Sequence, residues 1–311
     1  MIAHTIPLKK CLCTLSLALT LVNGIKTEAD DFKLAHQQDG QLDIIENDRL
    51  VGRYMFAHDT STPETLHATY KPFLHIIDPA SGTPITKGPG GQFTHHRGIF
   101  LGWNRLTTDR GRFDFWHMNG CFQVHQQFTS QLINEHQAAF TSQIDWIDKV
   151  SKTVIHEWRE MSFSCSDIPD SIAIVDISTK LIPTEDLKLN GDPEHSGVQY
   201  RPANDVQKNL TQYLFPQEGQ DPRKDLDLPW VGECYQTGSG KYAVIHMNHP
   251  DNPKQTKYSA YRDYGRFGAF FTQTLKKEEP LNIHYRLIIL KGTLPERSTI
   301  QKHFDRWTAQ P

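Results

Sequence analysis

The sequence predicts a mostly-β protein, a large antiparallel, supersandwich-like β-sandwich that ends in a short α-helix. Three observations predict it. Apolar and polar residues alternate with a period of two in many segments, which is typical of half-buried strands. Helical spacing of apolar residues is clear only near the C-terminus. No stretch rich in Pro, Gly or Ser divides the chain, so we expect one domain over residues 25–311.

The first strands are predicted as two hairpins. Residues 42–45 and 50–56 flank the turn residues Glu46, Asn47 and Asp48. Residues 73–77 are followed by the turn segment 78–82, which contains Pro and Gly. Such clusters of turn-forming residues between apolar runs indicate reversals of the chain.

The later strands carry the clearest alternation. In residues 281–290, the side chains predicted to share one face are Leu281, Ile283, Tyr285, Leu287 and Ile289. Residues 138–148 and 171–183 show similar patterns, and residues 153–165 alternate less cleanly. Residues 242–247 and 267–274 are also predicted as strands. These segments bring the expected total to about a dozen strands.

The C-terminal helix is predicted after Thr293. Pro295 suits a first helical turn, and Ile300, Phe304 and Trp307 recur at helical spacing. We expect this apolar stripe to dock on the sandwich.

The N-terminus has the pattern of a signal peptide, predicted over residues 1–24. Lys9 and Lys10 precede an apolar run at residues 11–22, and small or modest residues follow it. The run is shorter than the roughly 20 residues that span a bilayer. We therefore expect an exported protein, periplasmic or extracellular, with no membrane span. A buried N-terminal strand or helix is the alternative.

Charge and cysteine content exclude several classes of protein. The formal net charge is −3 at pH 7, with no basic stripe for nucleic acid and no basic amphipathic helix for a membrane surface. Beyond the signal peptide the cysteines are Cys121, Cys165 and Cys234, which allow one disulfide at most. Their spacing does not fit a cysteine zinc site.

A long loop at residues 87–97 contains the first candidate site. Gly and Pro residues lead to His95, His96 and Arg97. Imidazoles transfer protons near neutral pH, and a guanidinium binds carboxylates or paired hydroxyls. If the segment is extended, the two histidines point to opposite faces. One would then be catalytic and the other would orient it or pack beneath it. A structural loop with capping histidines is the alternative.

Two further candidate segments follow. In residues 114–117, Trp116 could stack on a sugar face beside His117, or could be a core residue. The predicted loop at residues 189–209 contains Glu194. If this segment is extended, the side chains of His195, Gln199 and Arg201 point to the same face. A solvated polar loop is the alternative.

The last candidates lie towards the C-terminus. Glu233 belongs to the predicted loop at residues 216–240, and Arg262, Asp263 and Tyr264 form a polar and aromatic cluster. Glu233 could instead be a charge on an edge strand. Motifs for a catalytic Ser-His-Asp triad, phosphate loop, dinucleotide site or zinc helix do not occur in the sequence.

Six segments together resemble a known family. They are GPGGQFTHHRGIF, DFWHMNG, EHSGVQYRP, WVGECY, NHPDNP and YRDYGRFGAFF. In this order they resemble the uncharacterised family that automated annotation calls "methane oxygenase PmoA", over nearly the whole mature chain. No methane chemistry is implied, because the methane monooxygenase subunit of that name is an integral membrane protein. The resemblance implies a fold similar to galactose mutarotase and an exported, sugar-degrading context.

The favoured function is an enzyme acting on a sugar or uronic acid by hydrolysis, elimination or epimerisation. The alternatives are a non-catalytic carbohydrate-binding protein and a histidine-ligated metal protein. The predicted catalytic residues are His95, His96, His195, Glu233 and Asp263. The predicted substrate-binding residues are Arg97, Trp116, His117, Gln199, Arg201, Arg262 and Tyr264. We expect a small-molecule or oligosaccharide substrate, with no cofactor and no metal.

Overall fold

A computed structural model describes residue 1, residues 31–192 and residues 194–309. The predicted signal peptide therefore lies outside the described residues, apart from Met1. The first ten strands and first helix are β1 (Phe32–Gln37), β2 (Gln41–Glu46), β3 (Arg49–Met55), α1 (Pro63–Thr69), β4 (Phe73–Asp78), β5 (Thr83–Pro84), β6 (Ile99–Trp103), β7 (Arg105–Thr108), β8 (Gly111–Phe113), β9 (Phe122–Ile133) and β10 (Gln137–Ile147).

The remaining elements are β11 (Thr153–Ser164), β12 (Ser171–Pro183), β13 (Leu187–Asn190), β14 (Ser196–Tyr200), β15 (Gln212–Leu214), β16 (Trp230–Thr237), β17 (Gly240–Asn248), β18 (Lys257–Tyr258), β19 (Phe267–Phe270), β20 (Gln273–Leu275), β21 (Leu281–Lys291) and α2 (Arg297–Thr308). The strands form three antiparallel sheets, and the predicted mostly-β fold with a C-terminal helix is confirmed.

The two larger sheets form the sandwich. One has nine strands in the order β1-β2-β3-β4-β6-β14-β19-β18, with β5 paired to β4. The other has eight strands in the order β15-β16-β17-β21-β12-β11-β10-β9. The third sheet has four short strands in the order β20-β13-β7-β8.

The main core lies between the two larger sheets. Trp103 of the first sheet packs against Trp146 of the second, with 6.2 Å between ring centroids. The hydroxyl of Tyr54 lies 3.1 Å from the Ser142 hydroxyl across the same interface. Apolar side chains from both sheets belong to one buried cluster, and this burial is the main stabilising contribution to the fold.

Strand β21 shows why its sequence alternates. Leu281, Ile283 and Tyr285 face the main core, whereas Ile288 and Leu290 belong to a second apolar cluster on the other face of the sheet. Helix α2 covers that second face with the predicted side chains Ile300, Phe304 and Trp307. The predicted docking of the C-terminal helix is confirmed.

Several elements differ from the sequence prediction. The predicted loops at residues 189–209 and 216–240 contain the strands β14 and β16, in which nearly every residue is buried. Strands that are buried on both faces do not alternate, so the pattern did not reveal them. Helix α1 was also not predicted; a capping box between Thr62 and Thr65 begins it.

The described residues show the state of the cysteines and the character of the helices. No disulfide joins Cys121, Cys165 and Cys234. No helix in the described ranges is long and apolar enough to cross a membrane.

Candidate functional site

The candidate site lies on the outer face of the nine-stranded sheet, over β6 and β14. Val198 of β14 faces the main core, whereas its neighbour Gln199 faces away from it. Phe100 of β6 is the cross-strand partner of Gln199 and packs against Trp116, with 4.7 Å between ring centroids. Loops before β6, after β8, before β14 and before β19 cover this face.

The loop after β8 holds His117 through Asp114. One carboxylate oxygen of Asp114 accepts hydrogen bonds from the backbone amides of Trp116 at 3.0 Å and His117 at 2.8 Å. The other oxygen lies 2.9 Å from Nδ1 of His117. Asp114 therefore fixes both the turn and the imidazole.

The loop before β14 repeats this arrangement. Asp192 Oδ1 accepts a hydrogen bond from the backbone amide of Glu194 at 3.0 Å and lies 2.8 Å from Nδ1 of His195. Asn104 donates to the other carboxylate oxygen at 2.8 Å. Both histidines thus follow an Asp-x-x-His spacing, and in both the Nδ1 edge is occupied by a carboxylate.

Three imidazoles lie in a row above the sheet. The ring centroids of His95 and His117 are 4.4 Å apart, and those of His117 and His195 are 5.2 Å apart. The side chains of His117 and His195 are 31% and 35% exposed, so the row reaches solvent. The structure therefore brings together three of the histidines that the sequence predicted.

The loop that contains His95 is a turn rather than an extended segment. The backbone amide of His96 donates to the carbonyl of Phe93 at 2.9 Å. The rings of His95 and His96 consequently contact each other, with 4.4 Å between centroids, and do not point to opposite faces. This part of the prediction was wrong because residue alternation holds only in extended backbone. His96 itself is buried against Phe93 and Tyr264.

Arg97 holds this loop in place. Its guanidinium donates to the carbonyls of Thr94 at 2.6 Å, His96 at 2.8 Å and His67 at 2.6 Å. Lys87 donates to the carbonyls of Gly88 and Gly90. Both cations are buried, and their contacts position the loop.

Trp116 forms the floor of the site. Its side chain is fully buried, so it has no open face for stacking on a sugar. Its ring centroid lies 5.9 Å from that of His96 and 6.1 Å from that of His195. Lys71 Nζ and Arg266 Cζ each lie 5.8 Å from the ring centroid.

Arg201 and Tyr264 form one wall beside His96. Arg201 donates to the carbonyls of Pro202 at 2.9 Å and Tyr264 at 2.7 Å, and its guanidinium lies 4.9 Å from the Tyr264 ring centroid. Gln199 is buried and accepts hydrogen bonds from Ser259 at 3.0 Å and Arg266 at 2.9 Å.

The two predicted carboxylates occupy different environments. Glu233 lies on β16 and is fully buried. Burial raises the pKa of its carboxyl group well above the usual value, against the attraction of Arg201. Asp263 is exposed to solvent. Neither one is placed in the row of imidazoles.

Arg262 lies at the rim of the site. It forms an ion pair with Glu194, the residue before His195. Tyr261 donates to the same carboxylate at 3.1 Å. The charge of Arg262 is therefore compensated within the chain.

Burial and neighbouring charges set the protonation of the site. Burial, with help from the charges of His117 and Lys71, lowers the pKa of His95 to about 3. His95 is therefore neutral at physiological pH. Burial alone would raise the pKa of Asp114 and Asp192, but hydrogen bonds from His117 and from Asn104 and His195 lower both below their ordinary value. The two carboxylates stay ionised beside their imidazoles.

Comparison with protein families decides where the chain belongs. The family of unknown function DUF6807 matches residues 41–305. The chain belongs to this family. The comparison with curated proteins found no match.

Solved structures similar to this DUF6807 member have low identity. A heparan sulfate lyase HepC mutant from Pedobacter heparinus is 12% identical with a TM-score of 0.40, over 80% of this chain and 35% of that one. A galactose mutarotase-like protein from Clostridium acetobutylicum is 8% identical with a TM-score of 0.41, over 84% and 99%. A GalM/aldose epimerase homologue from C. elegans is 6% identical with a TM-score of 0.35, over 85% and 100%. The chain thus spans about a third of the length of the lyase, and likenesses at this level define no activity.

Within the described ranges, no group of three or more His, Cys, Asp and Glu side chains is arranged to hold a metal ion. The expectation that this DUF6807 member needs no metal stays a prediction.

Sequence reasoning missed four residues of the site. Asp114 and Asp192 had a local signal, because both precede a histidine by three residues. Lys71 and Arg266 had none, because only the fold buries them and brings each within 5.8 Å of the Trp116 ring centroid.

Proposed function

We propose that this chain is an exported carbohydrate-active enzyme that acts on a sugar or uronic acid by acid–base chemistry of His117 and His195. The sugar context comes from the sequence resemblance, and export comes from the signal-peptide pattern of residues 1–24. The structure contributes the arrangement of the two imidazoles.

One observation supports this proposal most strongly. The rings of His117 and His195 lie 5.2 Å apart, and each Nδ1 is held by its own aspartate. A carboxylate on Nδ1 fixes the tautomer and orientation of an imidazole and stabilises its protonated form. The Nε2 atoms are then the groups that exchange protons with a substrate.

Two oriented imidazoles provide an acid and a base. One removes a proton from the substrate or from water, and the other donates a proton to a leaving or ring oxygen. Hydrolysis, elimination and epimerisation all need such a pair. In this proposal an imidazole replaces Glu233 or Asp263 as the base, because Glu233 is enclosed in the interior and Asp263 faces solvent.

His95 takes a supporting role. It is neutral, its ring contacts His117, and its Nε2 is buried without a hydrogen-bond partner among the described residues. A neutral imidazole can donate or accept one hydrogen bond at each nitrogen. His95 can therefore contribute a hydrogen bond to the site without adding charge.

The test compares two site variants with a matched control. His117→Ala and His195→Ala should each lower kcat by about 10²- to 10⁴-fold, the usual effect of removing a general acid or base. His156→Ala is the control, because His156 also has an aspartate partner, Asp145 at 2.6 Å, but lies on β11 of the other large sheet. Rates are measured on a panel of neutral and uronate-containing oligosaccharides, with folding checked by circular dichroism.

Two results would change the conclusion. Full activity of both site variants would exclude the imidazole pair as the catalytic groups. Binding of an oligosaccharide by wild type with no turnover across the panel would support the non-catalytic carbohydrate-binding protein instead.

A further inference from the structure

Five cations lie buried around the candidate site, and we refer to them as the cation cluster. Each has a relative exposure of at most 1%: Lys71, Lys87, Arg97, Arg201 and Arg266. In the part of the chain that the structure describes, none of them forms an ion pair with a carboxylate. They donate instead to carbonyl, amide and hydroxyl oxygens.

Another buried arginine shows the usual arrangement in this protein. Arg159 is also 1% exposed, and Glu157 accepts from its guanidinium at 2.7 Å and 2.9 Å. Buried charges in proteins are normally paired in this way, because an unpaired charge loses its hydration without compensation. The cation cluster departs from this rule at the place where the histidines converge.

Trp116 lies between the cation cluster and the imidazoles, because its ring is close to members of both groups. Lys71 Nζ and Arg266 Cζ each lie 5.8 Å from its ring centroid, and His195 lies 6.1 Å from the same ring. Arg266 also retains a buried Nε without a hydrogen-bond partner among the described residues. Burial, with repulsion from Arg97 and other cations, lowers the pKa of Lys71.

The carboxylates nearby do not neutralise the cluster. Asp114 and Asp192 hold the two histidines, and Glu194 is paired with Arg262. Burial raises the pKa of the Glu233 carboxyl group and so favours its neutral form, against the attraction of Arg201. Within the described residues the buried guanidinium groups of Arg97, Arg201 and Arg266 have no carboxylate partner, and an external anion would compensate their charge.

We propose that the substrate is a uronate whose carboxylate binds at the cation cluster beside Arg266. This rests on the proposed sugar chemistry and narrows it. A guanidinium suits a carboxylate because it can form paired hydrogen bonds with it.

A bound carboxylate also selects the reaction. Positive charge beside the carboxylate stabilises the enediolate that forms when an imidazole removes the hydrogen from the adjacent carbon. The electron pair of that C–H bond moves into the carboxylate. Reprotonation on the opposite face gives the epimer. Alternatively, the electron pair of the enediolate forms a C=C bond between the α and β carbons. The oxygen on the β carbon then leaves as a hydroxyl group, with a proton from the second imidazole. Neither route needs an oxidant or reductant.

Binding is tested by calorimetry with glucuronate, galacturonate and mannuronate against glucose, galactose and mannose, with acetate and sulfate as free anions. At least one uronate should bind about tenfold or more tightly than its neutral hexose and than the free anions, and salt should weaken it. Arg266→Gln should weaken uronate binding at least about tenfold more than it weakens hexose binding, whereas Arg266→Lys should retain part of the uronate preference. Arg49→Gln is the control, because Arg49 is 54% exposed and pairs with Glu46 elsewhere.

Equal binding of uronates and hexoses, no binding of any uronate, or equal loss of both classes in Arg266→Gln would each overturn the uronate proposal. Binding of acetate and sulfate as tight as that of every uronate would show a general anion site and also overturn it.

Catalysis is tested separately by nuclear magnetic resonance in D₂O with methyl glycosides and oligosaccharides of the uronates. We expect deuterium at the carbon next to the carboxylate or formation of the C=C bond, both lost in His117→Ala and His195→Ala. Uronate binding without either change would contradict the proposed enzymatic function but support the uronate-binding site. Turnover restricted to neutral sugars would contradict the uronate proposal but support the enzymatic function.

Discussion

At the scale of single residues, Asp114 and Asp192 each act on both backbone and side chain. In Asp114 one oxygen closes the turn and the other holds the imidazole. In Asp192 the backbone amide and the imidazole share Oδ1, and Oδ2 accepts from Asn104. The Asp114→Asn side chain keeps an acceptor for the turn but can present an amide N–H to Nδ1, which favours the wrong tautomer. The Asp192→Asn side chain must present its amide N–H either to the N–H donor of Asn104 or to the imidazole, and both orientations disturb His195.

Asp114→Asn and Asp192→Asn should therefore lower kcat by at least about tenfold while the fold is kept. The measurement is the kcat and its pH profile on the best substrate of the panel. Asp145→Asn, which alters the partner of His156 on the other large sheet, is the matched control. Unchanged kcat in both site variants would show that the aspartates only shape the loops.

Lys87 gives a second prediction at this scale. Burial and the charges of Arg97 and Arg201 lower its pKa from 10.5 to about 8. Between these two values Lys87 binds more protons in the unfolded chain than in the folded chain, so the contribution of Lys87 to stability should rise as pH increases from about 8 to about 10.5, by at most about 1.4 kcal/mol per pH unit.

Lys87→Met should flatten that rise. The free energy of unfolding is measured in urea across this pH range for both proteins. An equal slope in wild type and Lys87→Met would contradict a depressed pKa at Lys87.

At the scale of elements, β14 depends on a glycine. Gly197 has a φ of +82°, and a Cβ there would lie 1.8 Å from the carbonyl oxygen of Ala269 on β19. Gly197→Ala should destabilise the protein by about 3 kcal/mol or more, because strain and a backbone clash combine.

Gly82→Ala separates strain from clash. Gly82 has a φ of +67°, with no atom within 4 Å of an added Cβ. The Gly82→Ala substitution should lower the free energy of unfolding by only about 1 kcal/mol. Thermal unfolding compares the two variants, and a similar effect in both would mean that β14 and β19 separate easily.

Helix α2 carries the second prediction for an element. Ile300 is fully buried beneath the helix, against the outer face of the eight-stranded sheet. Ile300→Ala should cost about 2–5 kcal/mol of unfolding free energy. Lys302→Ala, at an exposed position of the same helix, should stay within about 0.5 kcal/mol. Equal stability of the two variants would mean that the helix is not docked.

At the scale of the whole molecule, several buried histidines predict sensitivity to acid. Burial lowers the pKa of His75 and His125 to about 4, and of His95 and His246 to about 3. These groups are neutral in the folded protein but protonate near pH 6.5 when the chain unfolds. The unfolded chain then binds more protons, so stability falls as pH decreases below about 6.5.

Urea unfolding at a series of pH values from about 7 to about 4 measures this effect. The free energy of unfolding should fall by up to about 1.4 kcal/mol per pH unit for each such histidine. A constant free energy across the range would show that the four histidines are accessible to protons in the folded state.

The sequence by itself determined the features that depend on local periodicity. The alternation of β21 and the helical stripe at Ile300, Phe304 and Trp307 each predict which side is buried, because neighbouring side chains point in fixed directions. The histidine-rich loops were also recognisable, since Gly and Pro residues surround them.

Only the tertiary structure decided which of these groups meet and which are buried. Strands β14 and β16 are enclosed on both faces, so their sequences lack alternation. His117 joined the row of imidazoles, whereas Glu233 and Asp263 were placed elsewhere. The burial of Lys71 and Arg266 depends on segments that are distant in the sequence, and within the described residues neither side chain forms an ion pair. Pairing of charges across such distances leaves no periodic pattern along the chain.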